Sequence, residues 1–254
     1  MRTAIRPLLA LVVTTAVGLS GCATPASAAE VQQFVSSIDQ GMQGVSSYRG
    51  TVAMDIDGGS TSGSMAGTME GTVSGGKPVN SHADIKLAVG STRVGVEVLM
   101  IGSKAYVGGS TMLGAVPQAS GKKWILADPS SSNSTVRKVS ESMDSMSSNN
   151  ISGMVAFVEA TRSFSKEGAA TVNGVATTEY DVELDPSKIP NTAAGSVTAD
   201  SIDAAFFVDD QGRIRRVVIE LAIDDASAEL TMDVTDYDVD VDLQEPSTST
   251  VYSG

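Results

Sequence analysis

The one thiol of the chain, Cys22, follows Leu19-Ser20-Gly21. A thiolate is the strongest nucleophile the side chains offer, and a lone cysteine among 254 residues cannot close an internal disulfide. Left free in an oxidising compartment it would be a liability, so alkylation at sulfur is the chemistry its position suggests. The single histidine, His82, lies in an alternating stretch with parity opposite to Ala83 and Ile85 and is expected to face solvent. A Ser-His-Asp triad would have to use it, yet no serine sits in a Gly-x-Ser-x-Gly elbow after a strand. No Cys/His set suits zinc. Asp236, Asp238, Asp240 and Asp242 share one parity and could draw a divalent cation, but the glycine and distal glutamate of a calcium loop are missing. A solvated outer face, or an edge kept from pairing by charge, accounts for that row better. The stretch from Gly71 to Gly76 lacks the Gly-Lys-Ser/Thr of a phosphate loop. The expectation is a protein with no catalytic residues, no metal and no cofactor.

Cys22 gains its meaning from what precedes it. Arg2 and Arg6 lead into an apolar run from Leu8 to Gly18, the pattern of a secretory signal peptide. That run is short of the roughly 20 apolar residues that span a bilayer. Leu19-Ser20-Gly21-Cys22 resembles the bacterial lipobox in every position. In that system the cysteine is acylated and the chain is cut before it, which makes residues 1–21 a lipoprotein signal peptide and residues 22–29 a short tether. The competing reading is an ordinary secretory cut near Ala26-Ser27-Ala28, which would release the domain. The expected place is the outer face of the cytoplasmic membrane, with Cys22 carrying palmitate-type acyl chains. Two or more such chains give stable anchoring where one is marginal.

Composition excludes several classes of partner. The formal net charge is −13, against the basic patches that nucleic acid requires and against lying flat on anionic lipid through a polybasic surface. Aromatic residues are only 4%, with Trp124 the sole tryptophan, and carbohydrate modules usually stack sugars on such rings. Eleven methionines and 25 glycines are generous numbers. Methionine fills irregular apolar space, both in cores and on promiscuous binding faces.

Two periodicities organise the rest. Val31, Phe34, Val35, Ile38 and Met42 make the stripe of an amphipathic helix that Gly44 ends. From Tyr48 the period becomes two, through Gly50, Val52, Met54 and Ile56. Met65 to Val73, Ala83 to Val89, Val94 to Met100 and Lys104 to Val107 repeat the alternation between glycine-rich turns, and Trp124 with Leu126 adds a short strand. Residues 128–153 break the pattern. Val136, Val139, Met143 and Met146 fit a helix starting at Asp128-Pro129, and Ile151, Met154, Val155 and Val158 fit another. Asn173-Gly174 then marks a hairpin, and strands follow through Val182, Phe206, Val217 and Leu230. The apolar parity flips between Val234 and Tyr237, which predicts a bulge near Thr235-Asp236. Residues 30–245 thus form a single α+β domain, a strongly curved antiparallel sheet with helices on one side, and residues 246–254 a polar tail.

This layout resembles the actinobacterial LppX/LprG-type lipoproteins, whose fold is shared with the LolA/LolB carriers. The resemblance rests on the lipobox, Tyr48-Arg49-Gly50-Thr51 after the first helix, Lys123-Trp124 before a Ser-rich insert, and Thr178 to Leu184. Phe206-Phe207-Val208-Asp209 with Gly212-Arg213-Ile214, and Tyr237-Asp238, extend it over most of the chain beyond the leader. It implies a half β-barrel whose helices cover the concave side and enclose an apolar cavity for a lipid or acylated glycolipid. The inward-parity residues that would line such a cavity are Met54, Ile56, Met65, Gly67, Met69, Gly71, Ile85, Leu87, Val96, Val98, Met100, Val155, Val182 and Phe206. Gly67 and Gly71 admit two readings: glycine leaves room for a ligand, or it lets the sheet bend sharply. The implied function is carriage or presentation of lipid, with an envelope transporter as a further partner. A structural or interaction lipoprotein, and a ligand-sensing accessory module, are the alternatives.

Overall fold

A computed structural model describes residues 26–58, 62–146, 151–189, 202–223 and 226–253. Cys22 and residues 1–21, expected as a signal peptide, lie outside these. Helix α1 (Ala28–Gln43) opens with a reciprocal cap, in which the Ser27 hydroxyl accepts from the Glu30 amide and the Glu30 carboxylate accepts from the Ser27 amide. Its stripe buries Phe34, Ile38 and Met42, and Gly44 is the C-cap. Five long or medium strands follow: β1 (Ser47–Asp57), β2 (Gly63–Ser74), β3 (Lys77–Val89), β4 (Thr92–Ile101) and β5 (Lys104–Gly108). The turns Gly75-Gly76, Gly90-Ser91 and Gly102-Ser103 join β2 to β5 with a glycine at positive φ in each. A short helix α2 (Ser110–Gly114), not evident in the sequence pattern, leads to β6 (Trp124–Leu126).

Helices α3 (Ser134–Met146) and α4 (Ile151–Glu159) interrupt the sheet. The start of α3 differs from the sequence expectation. Asp128 closes an Asx turn onto Ser130, and Asn133 instead caps the helix by accepting from the Thr135 amide at 2.9 Å. The second set of strands is β7 (Thr161–Val172), β8 (Val175–Leu184), β9 (Ile202–Asp209), β10 (Ile214–Ile223) and β11 (Ala226–Tyr237). Asn173 and Gly174 take φ of 50° and 82° in the two-residue turn between β7 and β8, as the Asn-Gly pair predicts.

The described strands, with β12 (Val251–Tyr252) the last, belong to one sheet, in the order β12-β6-β5-β4-β3-β2-β1-β11-β10-β9-β8-β7. Two antiparallel meanders are therefore welded edge to edge by β1 against β11. The expected bulge is present: Arg49 faces Asp236 and Gly50 faces Val234, so Thr235 is the extra residue.

The chain beyond the bulge departs from the sequence expectation. Tyr237, Val239, Val241 and Leu243 alternate like a strand, but Asp238 adopts φ of 57° and the chain leaves the ladder. Ser46 explains the exit, since its amide and hydroxyl both donate to the Asp238 carboxylate, at 2.8 and 3.0 Å. Residues 239–253 run back over the first meander as a strap. Arg49 donates to the Asp240 carbonyl, Lys122 to that of Ser249, and Tyr106 to the Glu245 carboxylate at 2.7 Å. Residues 246–253, expected as a polar tail, end in a two-residue strand β12 (Val251–Tyr252) parallel to β6. The aspartates at 238, 240 and 242 thus lie outside any strand.

The two faces of the sheet are covered unequally. On the inner face, α1 and α4 bury Phe34, Ile38, Met42, Met154, Phe157 and Val158 against β8 to β11. Phe34 stacks 4.5 Å from the Phe164 ring and 4.8 Å from that of Tyr180. On the outer face, Leu243 and Val251 of the strap pack on Leu99, Tyr106 and Trp124. Burial, and secondly the hydrogen bond to Glu245, push the Tyr106 phenol up to about 12.

Candidate functional site

The inner face of the first meander is built of cross-strand rows that follow from register alone. Ile219, Leu230, Met54, Met65, Leu87 and Val94 stand successively opposite one another across six strands. The neighbouring row runs Val217, Met232, Val52, Gly67, Ile85 and Val96. Next to it come Met69, Ala83, Val98 and Val107. Alternation puts only apolar residues and glycine in these rows, so the floor has no polar group to satisfy.

Burial falls along the strands. Met69 and Val98 are 7% and 8% exposed, whereas Leu87, Ile56 and Val89 reach 37%, 38% and 55%. Three of those exposed side chains adjoin: Ile56 faces Gly63, Gly63 faces Val89, and Leu87 is two residues back from Val89. The rows therefore form an apolar trough, closed near Met69 and open at the β1–β4 end. Helix α4 reaches β3 and α3 touches β5, and half-buried Val155 sits on α4 beside the buried Met154.

The residues expected to line a cavity divide into three groups. Met54, Ile56, Met65, Met69, Ile85, Leu87, Val96, Val98 and Met100 share the inner face of the first meander. Val182 and Phe206 belong to the core beneath α1, at 4% and 0% exposure, with the Phe206 ring 6.5 Å from that of Phe34. The glycines form the third group. A Cβ on Gly67 would stand 2.5 Å from the Asp84 carbonyl oxygen, and one on Gly71 would meet the Tyr48 ring at 2.8 Å. Both are glycines of close approach, with the β3 backbone at Gly67 and the Tyr48 ring at Gly71 standing where a side chain would go.

The outer face carries groups that the strand-by-strand pattern did not single out. Glu183, Asp203, Glu220, Glu229 and Asp55 face one another across five strands as an uninterrupted carboxylate ladder. Like charges directly opposite destabilise a sheet. Asp181 lies beside this ladder, and burial followed by Glu167 and Asp203 raises its pKa. Ser163, Asp181, Glu183, Asp203 and Glu220 line a cleft of about 440 Å³ on this face. His82 is half-buried with its Nδ1 3.9 Å from Glu70. Among the described residues, no group of three His, Cys, Asp or Glu side chains is placed to hold a metal ion, and no helix is long and apolar enough to cross a membrane.

A second polar assembly fixes the β9–β10 turn. The Asp209 carboxylate accepts the amides of Gln211 and Arg213, both at 3.0 Å, and Nε of Arg213 and Arg215 at 3.1 and 2.9 Å. Both guanidinium groups lie over the Tyr237 ring, 5.0 and 4.8 Å from its centre. Burial opposes the Asp209 charge, but these four donors outweigh it and hold the carboxyl below the usual range. Its saturated geometry makes it a structural clasp. The Phe-Phe-Val-Asp and Gly-Arg-Ile segments were visible in sequence, but the convergence on Tyr237 is tertiary.

Two solved structures share this architecture. LprF from Mycobacterium bovis superposes with a TM-score of 0.53 at 14% identity, covering 88% of this chain and 99% of that one. The chain has the LprF fold. The Mycobacterium tuberculosis lipoprotein LppX matches with a TM-score of 0.50 at 13% identity, over 86% of this chain and all of that one (100%). No family model matches the sequence, and no curated sequence does. The LprF-like architecture establishes the open sheet with helices on its inner side. At such identity it carries no site residue across, so the site rests on the trough itself.

Proposed function

We propose that the chain is a non-enzymatic, lipid-anchored protein of the cell envelope that holds the acyl chains of a lipid or acylated glycolipid in the trough over β1–β4. The observation that carries this reading is the uncovered apolar floor, with Leu87, Ile56 and Val89 exposed in a chain of net charge −13. Contiguous exposed apolar surface is unusual on soluble proteins and marks an interaction site. Flexible Met54 and Met65 side chains would adapt to chains of differing length and branching. Anchoring through Cys22 at the outer face of the cytoplasmic membrane would keep the domain beside its lipid source, and an envelope transporter is the natural donor or recipient.

Native mass spectrometry of the full-length protein, purified in mild detergent from a lipid-rich host, tests the reading. Lipid should remain bound to the wild type and be lost from Met65→Trp, which fills the trough. A wild-type protein that retains no lipid, or a Met65→Trp variant that retains it fully, overturns the proposal.

A further inference from the structure

The charges of the β3–β4 hairpin tip differ in sign from Asp55 and Asp57 at the neighbouring end of β1. Between Asp84 and Glu97 the β3–β4 hairpin carries Lys86 and Arg93 and no acid. Register places Lys86 opposite Gly95 and Arg93 opposite Ala88, so both cations lie on the outer face while Leu87, Val89 and Val94 lie on the inner one. Arg93 is held at the tip, its Nη1 donating to the Gly90 carbonyl at 2.9 Å and the Thr92 carbonyl at 3.2 Å. Both cations are exposed. The hairpin tip is thus aliphatic on one side and cationic on the other.

One row of the outer face reverses sign across the sheet, while the adjoining row of the hairpin pairs Asp84 with Glu97. The row that begins with Glu183, Asp203, Glu220, Glu229 and Asp55 continues through Ser64 and Ala88 to Arg93. An anionic surface would repel the carboxylate end of this row and attract its Arg93 end, which favours approach by the β3–β4 tip.

From this geometry we infer that the β3–β4 hairpin tip docks on an anionic phospholipid bilayer, with Val89 and Leu87 entering the headgroup–acyl boundary and Lys86 and Arg93 meeting lipid phosphates. The inference rests on the proposed function for its Cys22 anchor and for its purpose, since docking there would bring the open trough against the acyl layer. Two cations and two aliphatic side chains are a weak contact for a free domain. An anchored one binds intramolecularly, at the high effective concentration its tether sets. This position differs from lying flat, because a single hairpin end, and no broad basic face, touches the membrane.

A single environment-sensitive fluorophore tests it on the full-length acylated protein in vesicles, where Cys22 is blocked by lipid. It is placed at Val89→Cys, or as a control at Ser103→Cys in the Gly102-Ser103 turn at the opposite end of the sheet. In phosphatidylglycerol–phosphatidylcholine vesicles the probe at 89 should be several-fold better shielded from aqueous iodide than the probe at 103. Adding Lys86→Glu, or using phosphatidylcholine alone, should shrink that difference. Equal quenching at the two positions, or protection indifferent to Lys86→Glu and to lipid charge, overturns the inference. Lipid retained in native mass spectra together with equal quenching would sink the docking while leaving the carrier reading intact. Shielding at 89 without retained lipid would do the reverse.

Discussion

Gly67 of β2 and the Asp84 carbonyl of β3 approach so closely that a Cβ on Gly67 would lie 2.5 Å from that oxygen. The contact sits in the middle of the trough floor, where the β3 backbone leaves no space for a side chain on β2. It makes glycine a condition of that strand packing. Gly67→Ala should therefore cost about 1–3 kcal/mol, as overpacking a tight site does. Gly95→Ala, whose Cβ would meet nothing within 4 Å, should stay within about 0.5 kcal/mol of wild type. Urea midpoints of the two variants check this, and equal midpoints would remove the close-approach argument.

Asp209 is the acid-sensitive point of the second meander. Its side chain is 1% exposed and neutralises Arg213 and Arg215. Because its folded pKa is lowered, its stabilisation is present above the ordinary carboxylate pKa of about 4 and fades as pH falls through the folded value. Asp209→Asn should cost about 3–5 kcal/mol at neutral pH, the usual penalty for breaking a buried pair. The gap between variant and wild type should narrow below about pH 4. Denaturation curves collected from pH 7 downward, each against the variant, measure it.

Asp181 has the opposite sign. Its pKa is raised by burial and by the neighbouring carboxylates, so it favours the folded state below the unfolded pKa and opposes it as pH rises through the folded one. Asp181→Asn should stabilise the protein at pH 7 by up to ~0.5 kcal/mol, solvent screening keeping the gain small. The gain should vanish in acid. Thermal midpoints at two pH values decide, and destabilisation at neutral pH would count against repulsion as the dominant effect.

The strap can be read optically. Leu243 and Val251 cover Trp124, the only tryptophan, which is 6% exposed. Leu243→Ala should shift Trp124 emission to the red and cost roughly 1–2 kcal/mol, the low end for large-to-small changes because Leu243 is only half-buried. An unchanged emission maximum would mean that the strap does not shield the ring.

Much of this architecture was legible in the sequence because it depends on local periodicity. The α1 stripe from Phe34 to Met42, the Asn173-Gly174 hairpin and the Thr235 bulge each announce themselves within a dozen residues. The helix-bearing inner side follows from parity and from the family resemblance. What stayed hidden is set by tertiary partners. Val239, Val241 and Leu243 alternate as a strand does, yet Ser46 captures Asp238 and turns the chain out of the sheet. The carboxylate ladder is ordinary alternation within each strand and becomes visible only when register aligns five of them. Val182 and Phe206 have the same inward parity as Met65 and Leu87. Only the path of α1, which covers the first pair and leaves the second open, separates packed core from trough.

The weld between β1 and β11 also sets the order in which the molecule can be made. Ser46 and Asp238, clasped at its end, are 192 residues apart in the chain, so the central ladder is a highly non-local contact. Such pairings close slowly, after their loop entropy has been met. A chain emerging amino-terminus first would complete its first meander with the β1 edge still vacant, apolar trough already formed. During that interval the open edge invites strands from other chains, which makes the interval before β11 arrives the stage most exposed to mispairing.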